Sequence, residues 1–177
     1  MRVFTLSKRE SREILGKLDL TWPLMPNLGR SETVKVAEIE GAKRLLIFPL
    51  WIAIDLDGKV LPFLGSQGLL KSFPAIVVDS GAIPHVCKGA DVMRPGVLAA
   101  EGEFEVGDIV CVKEQRYQKF IAVGEALLAK RDVLAASKGP VVKNVHYVGD
   151  VFWESAKSMG LYESTVGSGE NEREDTS

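Results

Sequence analysis

The side chains best able to do chemistry are few. His85, Cys87, Cys111 and His146 are all the histidines and cysteines in the 177-residue chain. Together they have the composition of a Cys₂His₂ zinc set. They lack its spacing, with no C-x₂-C pair and no H-x₃₋₅-H pair, so no metal is expected. Cys87 reads instead as a small apolar residue packed in a short helix. Nucleophilic catalysis needs a base held beside the nucleophile, and two histidines give it little to work with. Neither a G-x-x-x-x-G-K-[ST] phosphate loop nor a G-x-S-x-G elbow occurs. Asp55 and Asp57 form a close acidic pair in a strand-like stretch, but they bracket a turn before Gly58, and turn formation explains them. The sequence therefore predicts no catalytic residue and no cofactor. Two cysteines are also too few for a disulfide framework and fit a reducing interior.

Charge is the next resource, and its distribution says more than its total. The formal net charge is −2. Residues 1–74 carry 11 Lys and Arg against 8 Asp and Glu, residues 75–154 carry 9 against 11, and residues 155–177 carry 2 against 5. The second segment is not basic overall. Any nucleic-acid affinity there must come from a local cluster and from backbone donors, and it should be weakened by salt. The net +3 of the first segment allows a protein or an rRNA surface as its partner.

The elements that would position these residues can be read from the pattern. Residues 2–6 suit a short strand. Ser7-Lys8-Arg9-Glu10 is a capping box, and Ile14, Leu15 and Leu18 follow at helical spacing. The breaker-rich stretch from Trp22 to Gly29 ends that helix. Residues 33–40 alternate apolar and polar, residues 45–48 and 51–56 are further strands, and Asp57-Gly58 is a hairpin turn before a return strand at 60–64. Residues 1–73 thus read as a small α+β domain with an antiparallel sheet, joined through 65–73 to the next unit. The connection is too short for a free linker, so the two parts should form one compact unit.

From residue 74 the texture changes. Strands are expected at 75–78, 91–93, 109–113, 120–126 and 141–147, with a turn or two of helix at 82–87. Short strands punctuated by glycine argue for a small β-barrel. Residues 163–177 are almost devoid of apolar side chains and are expected to be disordered. The acidic run from Glu170 to Asp175 could mimic RNA, cover a basic surface or bind a basic partner, although such tails more often only solvate. The most apolar window, 45–54, is interrupted by Pro49 and falls far short of the roughly 20 residues that cross a bilayer. Residues 2–12 are charged and show no signal peptide. A soluble, cytoplasmic protein with no membrane partner is expected.

The second half carries a specific likeness. Val78-Asp79-Ser80-Gly81-Ala82-Ile83, then Lys88-Gly89-Ala90-Asp91-Val92-Met93-Arg94-Pro95-Gly96-Val97, then Gly107-Asp108-Ile109-Val110, then Ala122-Val123-Gly124 resembles the PUA domain. The close, Asn144-x-His146-Tyr147-x-x-Asp150-x-x-Trp153, is similar to that of the malignant T-cell amplified sequence family and its archaeal homologues, which carry a small α+β domain before the PUA domain. The resemblance spans residues 4–153 and is loose over the first half.

The resemblance implies an α+β pre-PUA domain over 1–73 and a PUA pseudo-β-barrel over 74–154, of about six strands and two short helices, followed by the tail from 155. It implies a non-catalytic RNA-binding protein acting in translation initiation or recycling. Its partner would be structured RNA, either the acceptor end of a tRNA or small-subunit rRNA. A translation factor or ribosomal protein would dock on the first domain. Gly89 and Ala90 would let an RNA backbone approach, with main-chain N–H groups donating to phosphate. Lys88 and Arg94 would supply charge, Arg94 in a two-pronged grip. The last strand of the family lies beside this loop, which would bring Lys143, Asn144 and His146 to the same surface. Each has a plainer reading: turn glycines, ordinary surface cations, and a packed, hydrogen-bonded histidine. Two other functions stay open, a protein-binding adaptor built on the barrel as scaffold and an accessory subunit that presents RNA to a modifying enzyme.

Overall fold

The computed structural model describes residues 1–23 and 33–161. The chain begins with strand β1 (Arg2–Thr5) and helix α1 (Lys8–Thr21). The capping box forms as the sequence predicts: the Glu10 amide donates to Ser7 Oγ at 3.2 Å and the Ser7 amide donates to Glu10 Oε2 at 3.0 Å. Two free N–H groups at the helix start are satisfied reciprocally. Ser11, Ile14 and Leu18 form the buried face. The Val34 amide donates to Ser11 Oγ, which ties α1 to the sheet. Strands β2 (Lys35–Glu38), β3 (Lys43–Ile47), β4 (Ile52–Leu56) and β5 (Lys59–Pro62) follow β1 in spatial order, each antiparallel to its neighbour. Asp57 and Gly58 both have positive φ, the backbone a two-residue hairpin turn needs. Asp55, the other member of the acidic pair, is buried against Arg44 and accepts from the Gly58 amide.

The connection contains a short helix, α2 (Gln67–Leu70). Six strands then build the second sheet: β6 (Ala75–Val78), β7 (Val92–Met93), β8 (Val97–Glu101), β9 (Ile109–Glu114), β10 (Phe120–Ala126) and β11 (Pro140–Tyr147). Their spatial order is β7-β11-β10-β9-β6-β8, with β6 and β9 parallel and the other pairs antiparallel. Short helices α3 (Ile83–Val86) and α4 (Lys130–Val133) join strands, and α5 (Val151–Ser158) follows the last one. The α+β class with a six-stranded curled sheet is the architecture expected.

Four elements depart from the sequence reading, the first being α2, which lies in a stretch read only as a connection. Strand β8 was not expected, because Val97-Leu98-Ala99-Ala100 has no alternation to reveal it. Helix α4 went unread. Helix α5 starts on an Asp150 cap whose carboxylate accepts from the Trp153 amide at 2.9 Å. It buries Phe152 and Ala156, so residues 155–158 belong to a packed helix and not to a tail. The remainder of the expected tail from 162, and the breaker-rich stretch at 24–32, lie outside the described residues.

The core runs on from one sheet to the other. One buried cluster joins Leu45, Ile54 and Phe63 of the first half to Cys111, Phe120 and Val123 of the second sheet and to Phe152 and Ala156 of α5. A second cluster, with Ile76, Val110 and Val142, fills the interior of the second sheet.

Candidate nucleic-acid interface

The loop after α3 is held from several directions. The amides of Lys88 and Ala90 donate to the His85 carbonyl, each at 3.1 Å, and the Gly89 amide donates to the Val86 carbonyl at 3.0 Å. Gly89 has φ +96°, which L side chains rarely adopt, and a Cβ there would lie 3.0 Å from the Tyr147 ring. Asn144 pins the loop from β11. Its Nδ2 donates to the Val86 and Ala90 carbonyls, both at 3.0 Å, and its amide donates to Asp91 Oδ1. The result is a rigid ledge of small residues with Lys88 and Ala90 exposed, and with His85 exposed one turn earlier.

This geometry corrects how the ledge could act. The N–H groups of Lys88, Gly89 and Ala90 are spent inside the turn, so they are not the phosphate donors the sequence suggested. Any anion held here meets the Lys88 ammonium and the outer surface of the loop.

The predicted site residues do not all come together. Arg94 turns inward, donating from Nη1 to the Val97 carbonyl at 3.1 Å and from Nη2 to the Leu134 carbonyl at 3.5 Å. A guanidinium so engaged holds the barrel together and is not free to grip a phosphate with both prongs. His146 has 0% exposure and is not a surface residue. Its Nε2 accepts from the Leu64 amide at 3.1 Å, so its proton sits on Nδ1, 2.8 Å from Asp150 Oδ2. It joins the two sheets and stacks near Phe63.

A bulge explains the misreading. Val123 pairs with His146 but Gly124 pairs with Asn144, so Val145 is an extra residue in β11. Without it, Asn144 and His146 would share a face, as their two-residue spacing suggests. With it, Asn144 shares the inner, loop-facing side with Tyr147. Lys143, partnered with Glu125, faces the side that His146 occupies and is exposed there. Gly124 permits the close approach, since a Cβ at this position would meet the Lys143 carbonyl oxygen. Lys88, Gly89, Ala90 and Asn144 are thus brought together; Arg94, Lys143 and His146 are not. Sequence reasoning missed Tyr147, whose signal was an aromatic ring at the end of the strand beside the loop.

Few groups here suit bond-making. Burial raises the Cys87 thiol above its ordinary range and raises Cys111 far more. A thiol so raised is a poor source of thiolate. Both ring nitrogens of His146 are engaged. Among the described residues, no group of three or more His, Cys, Asp or Glu side chains is placed to hold a metal ion, and no helix is long and apolar enough to cross a membrane.

The comparisons with known proteins fit this geometry. Residues 74–148 match the model of the PUA domain family. An uncharacterized protein of Methanocaldococcus jannaschii is 36% identical over 157 residues, covering 85% of this chain and 94% of that one. Translation machinery-associated protein 20 of Saccharomyces cerevisiae is 29% identical over 56% of this chain and 64% of its own length. Malignant T-cell-amplified sequence 2 of Homo sapiens is 32% identical over 52% of this chain and 55% of its own. The matched region thus spans between half and two thirds of these two eukaryotic relatives. Among solved structures, a hypothetical protein from the hyperthermophilic archaeon Pyrococcus horikoshii superposes with a TM-score of 0.71 at 28% identity, over 87% of this chain and 99% of that one.

Proposed function

This chain belongs to the family of PUA-domain proteins that includes the archaeal, translation machinery-associated and malignant T-cell-amplified sequence relatives, and on that premise we propose that it is a non-catalytic RNA-binding protein of translation. The single observation that carries the reading is the ledge at Lys88-Gly89-Ala90, pinned by Asn144 and Tyr147 with its one lysine pointing to solvent. A fixed surface of small residues suits a shape or a strand end better than a base sequence. The yeast relative's name supports a role in translation, and within that role tRNA or small-subunit RNA is the ligand of this proposal. The non-catalytic assignment draws support from the raised thiols and the fully engaged His146.

In this reading residues 74–154 form the RNA-binding domain and residues 1–73 dock a translation factor or a ribosomal surface in the cytoplasm. The direct contacts are Lys88, Gly89 and Ala90. Asn144 shapes the loop, Lys143 adds charge from the other face of β11, and Arg94 and His146 act by holding the fold.

Fluorescence-anisotropy titration with bulk tRNA and with small ribosomal subunits, at low and moderate salt, tests the proposal. Saturable binding should weaken with salt and fall again in Lys88→Ala, with the salt slope reduced by about one. A folded protein that binds neither RNA would sink the proposal and favour a protein-binding adaptor.

A further inference from the structure

A second feature lies at the hairpin joining β9 to β10. The Glu114 amide donates to the Lys119 carbonyl at 3.0 Å and closes the loop. Gln118 has φ +56°, and its Nε2 donates to the Gln115 carbonyl at 2.8 Å. The Glu114 side chain is buried beneath the loop. Its carboxylate accepts from the Tyr117 amide at 2.8 Å and from the Lys119 amide at 3.0 Å. The Gln115 amide donates to the Val78 carbonyl, which anchors the loop to the end of β6.

On this fixed backbone Tyr117 is 66% exposed. A lone exposed aromatic residue is ordinary. Here two cations stand at the same ring, with the Arg116 guanidinium carbon 5.2 Å and the Lys119 ammonium 6.0 Å from its centroid. Among the described residues, neither lies within salt-bridge distance of a carboxylate, whereas Lys113, Lys130 and Arg131 of the same barrel do. Both are exposed, long and flexible, and can swing from the ring to a phosphate.

The register sets the location. Ala122 near the start of β10 pairs with Tyr147, and the Val148 amide donates to the Ile121 carbonyl. The hairpin tip therefore projects from the end of the barrel that carries Tyr147, whose ring contacts Gly89 of the ledge. Lys119 is three residues before Ala122 and immediately precedes β10.

We propose that Tyr117 is a stacking platform for an unpaired RNA base, with Arg116 and Lys119 taking the flanking phosphates. This rests on the reading of the ledge as an RNA contact and extends it to a single-stranded segment leaving the ledge. Aromatic rings take successive bases without regard to sequence, and exposed cations track the backbone.

The test uses the full chain and a fluorescein-labelled single-stranded oligoribonucleotide of mixed sequence, titrated at several salt concentrations. Tyr117→Ala should weaken binding about tenfold and leave the salt slope unchanged. Tyr117→Phe, which keeps the ring, should bind as the parent does. Arg116→Ala/Lys119→Ala should lower the salt slope by about 1.4, the value for two phosphates on a single strand. If Tyr117→Ala binds as the parent while Lys88→Ala is impaired, the stacking proposal falls and the ledge reading stands. If the parent protein binds neither this probe nor tRNA, both fall. Loss of binding in Tyr117→Phe as well as in Tyr117→Ala would also overturn the proposal, because the phenolic hydroxyl and not the ring face would then be the contact.

Discussion

His146 shows how one residue can be legible in kind and misplaced in space. The resemblance brought it, with Lys143 and Asn144, to the candidate surface because the family's last strand lies beside the loop. The inserted Val145 sends it to the other side, where it bonds Leu64 and Asp150. A bulge leaves little trace in the residue pattern, because Gly124 on the partner strand was equally readable as a turn glycine. The plainer alternative, a packed and hydrogen-bonded histidine, is the one the structure bears out. His146→Ala should destabilise the protein by about 3 kcal/mol, since it opens a cavity, strands the buried Leu64 N–H and takes one hydrogen bond from the Asp150 carboxylate, which keeps those from the Tyr147 and Trp153 amides. Urea denaturation would measure this as a lower midpoint at unchanged slope. Should the midpoint stay within error of the parent, the bridge contributes nothing to stability.

At the level of elements, the strands with clear alternation and the capped first helix were readable, and so was the Asp57-Gly58 hairpin turn. Strand β8 was not, because small alanines fit either environment. Helix α5 could have been found from its Asp150 cap and the Phe152–Ala156 spacing, but the sequence reading assigns residues 155–158 to the tail, although the composition that argues for disorder begins only at 163. The β9–β10 hairpin was read only as the gap between two strands, and its organising carboxylate gave no sequence signal. Glu114 is held below the usual carboxylate range, first by the Lys119 N–H and then by those of Tyr117 and Arg116. A depressed folded pKa means that the unfolded chain takes up the proton more readily. The contribution to stability is therefore fully present above the unfolded value of about 4.3 and is lost as pH falls through the lower folded value. Amide exchange at Tyr117 and Lys119 should accordingly lose protection in that acidic window, relative to amides in the barrel interior. In Glu114→Gln the acid step should vanish; its persistence would assign it to another group.

For the molecule as a whole, the sequence was read as an α+β first part and a barrel-like second part, and the short connection argued that they pack together. What it did not reveal is how far the core is shared. Phe120, Val123 and Phe152 lie in the same buried cluster as Leu45 and Ile54, and His146 bonds across it. Helix α5 contributes to that cluster, so the chain after the last strand helps fasten the first sheet to the second. A core this continuous should unfold as one unit. Tryptophan fluorescence of a Trp153→Phe variant, which then reports only on Trp22 and Trp51 in the first part, and far-ultraviolet circular dichroism, which reports on both, should give coincident denaturation curves. Two separated transitions would show that the parts are independently stable.

The central claim is that RNA meets the barrel at the pinned ledge. The most direct measurement is a ¹⁵N-labelled amide titration of the full chain with tRNA at moderate salt, followed residue by residue. The largest shifts should fall on His85, Lys88, Gly89, Ala90, Asn144 and Tyr147, while the amides of β2 to β4 stay unmoved. Shifts confined to the first sheet, or none at saturating RNA, would contradict the account.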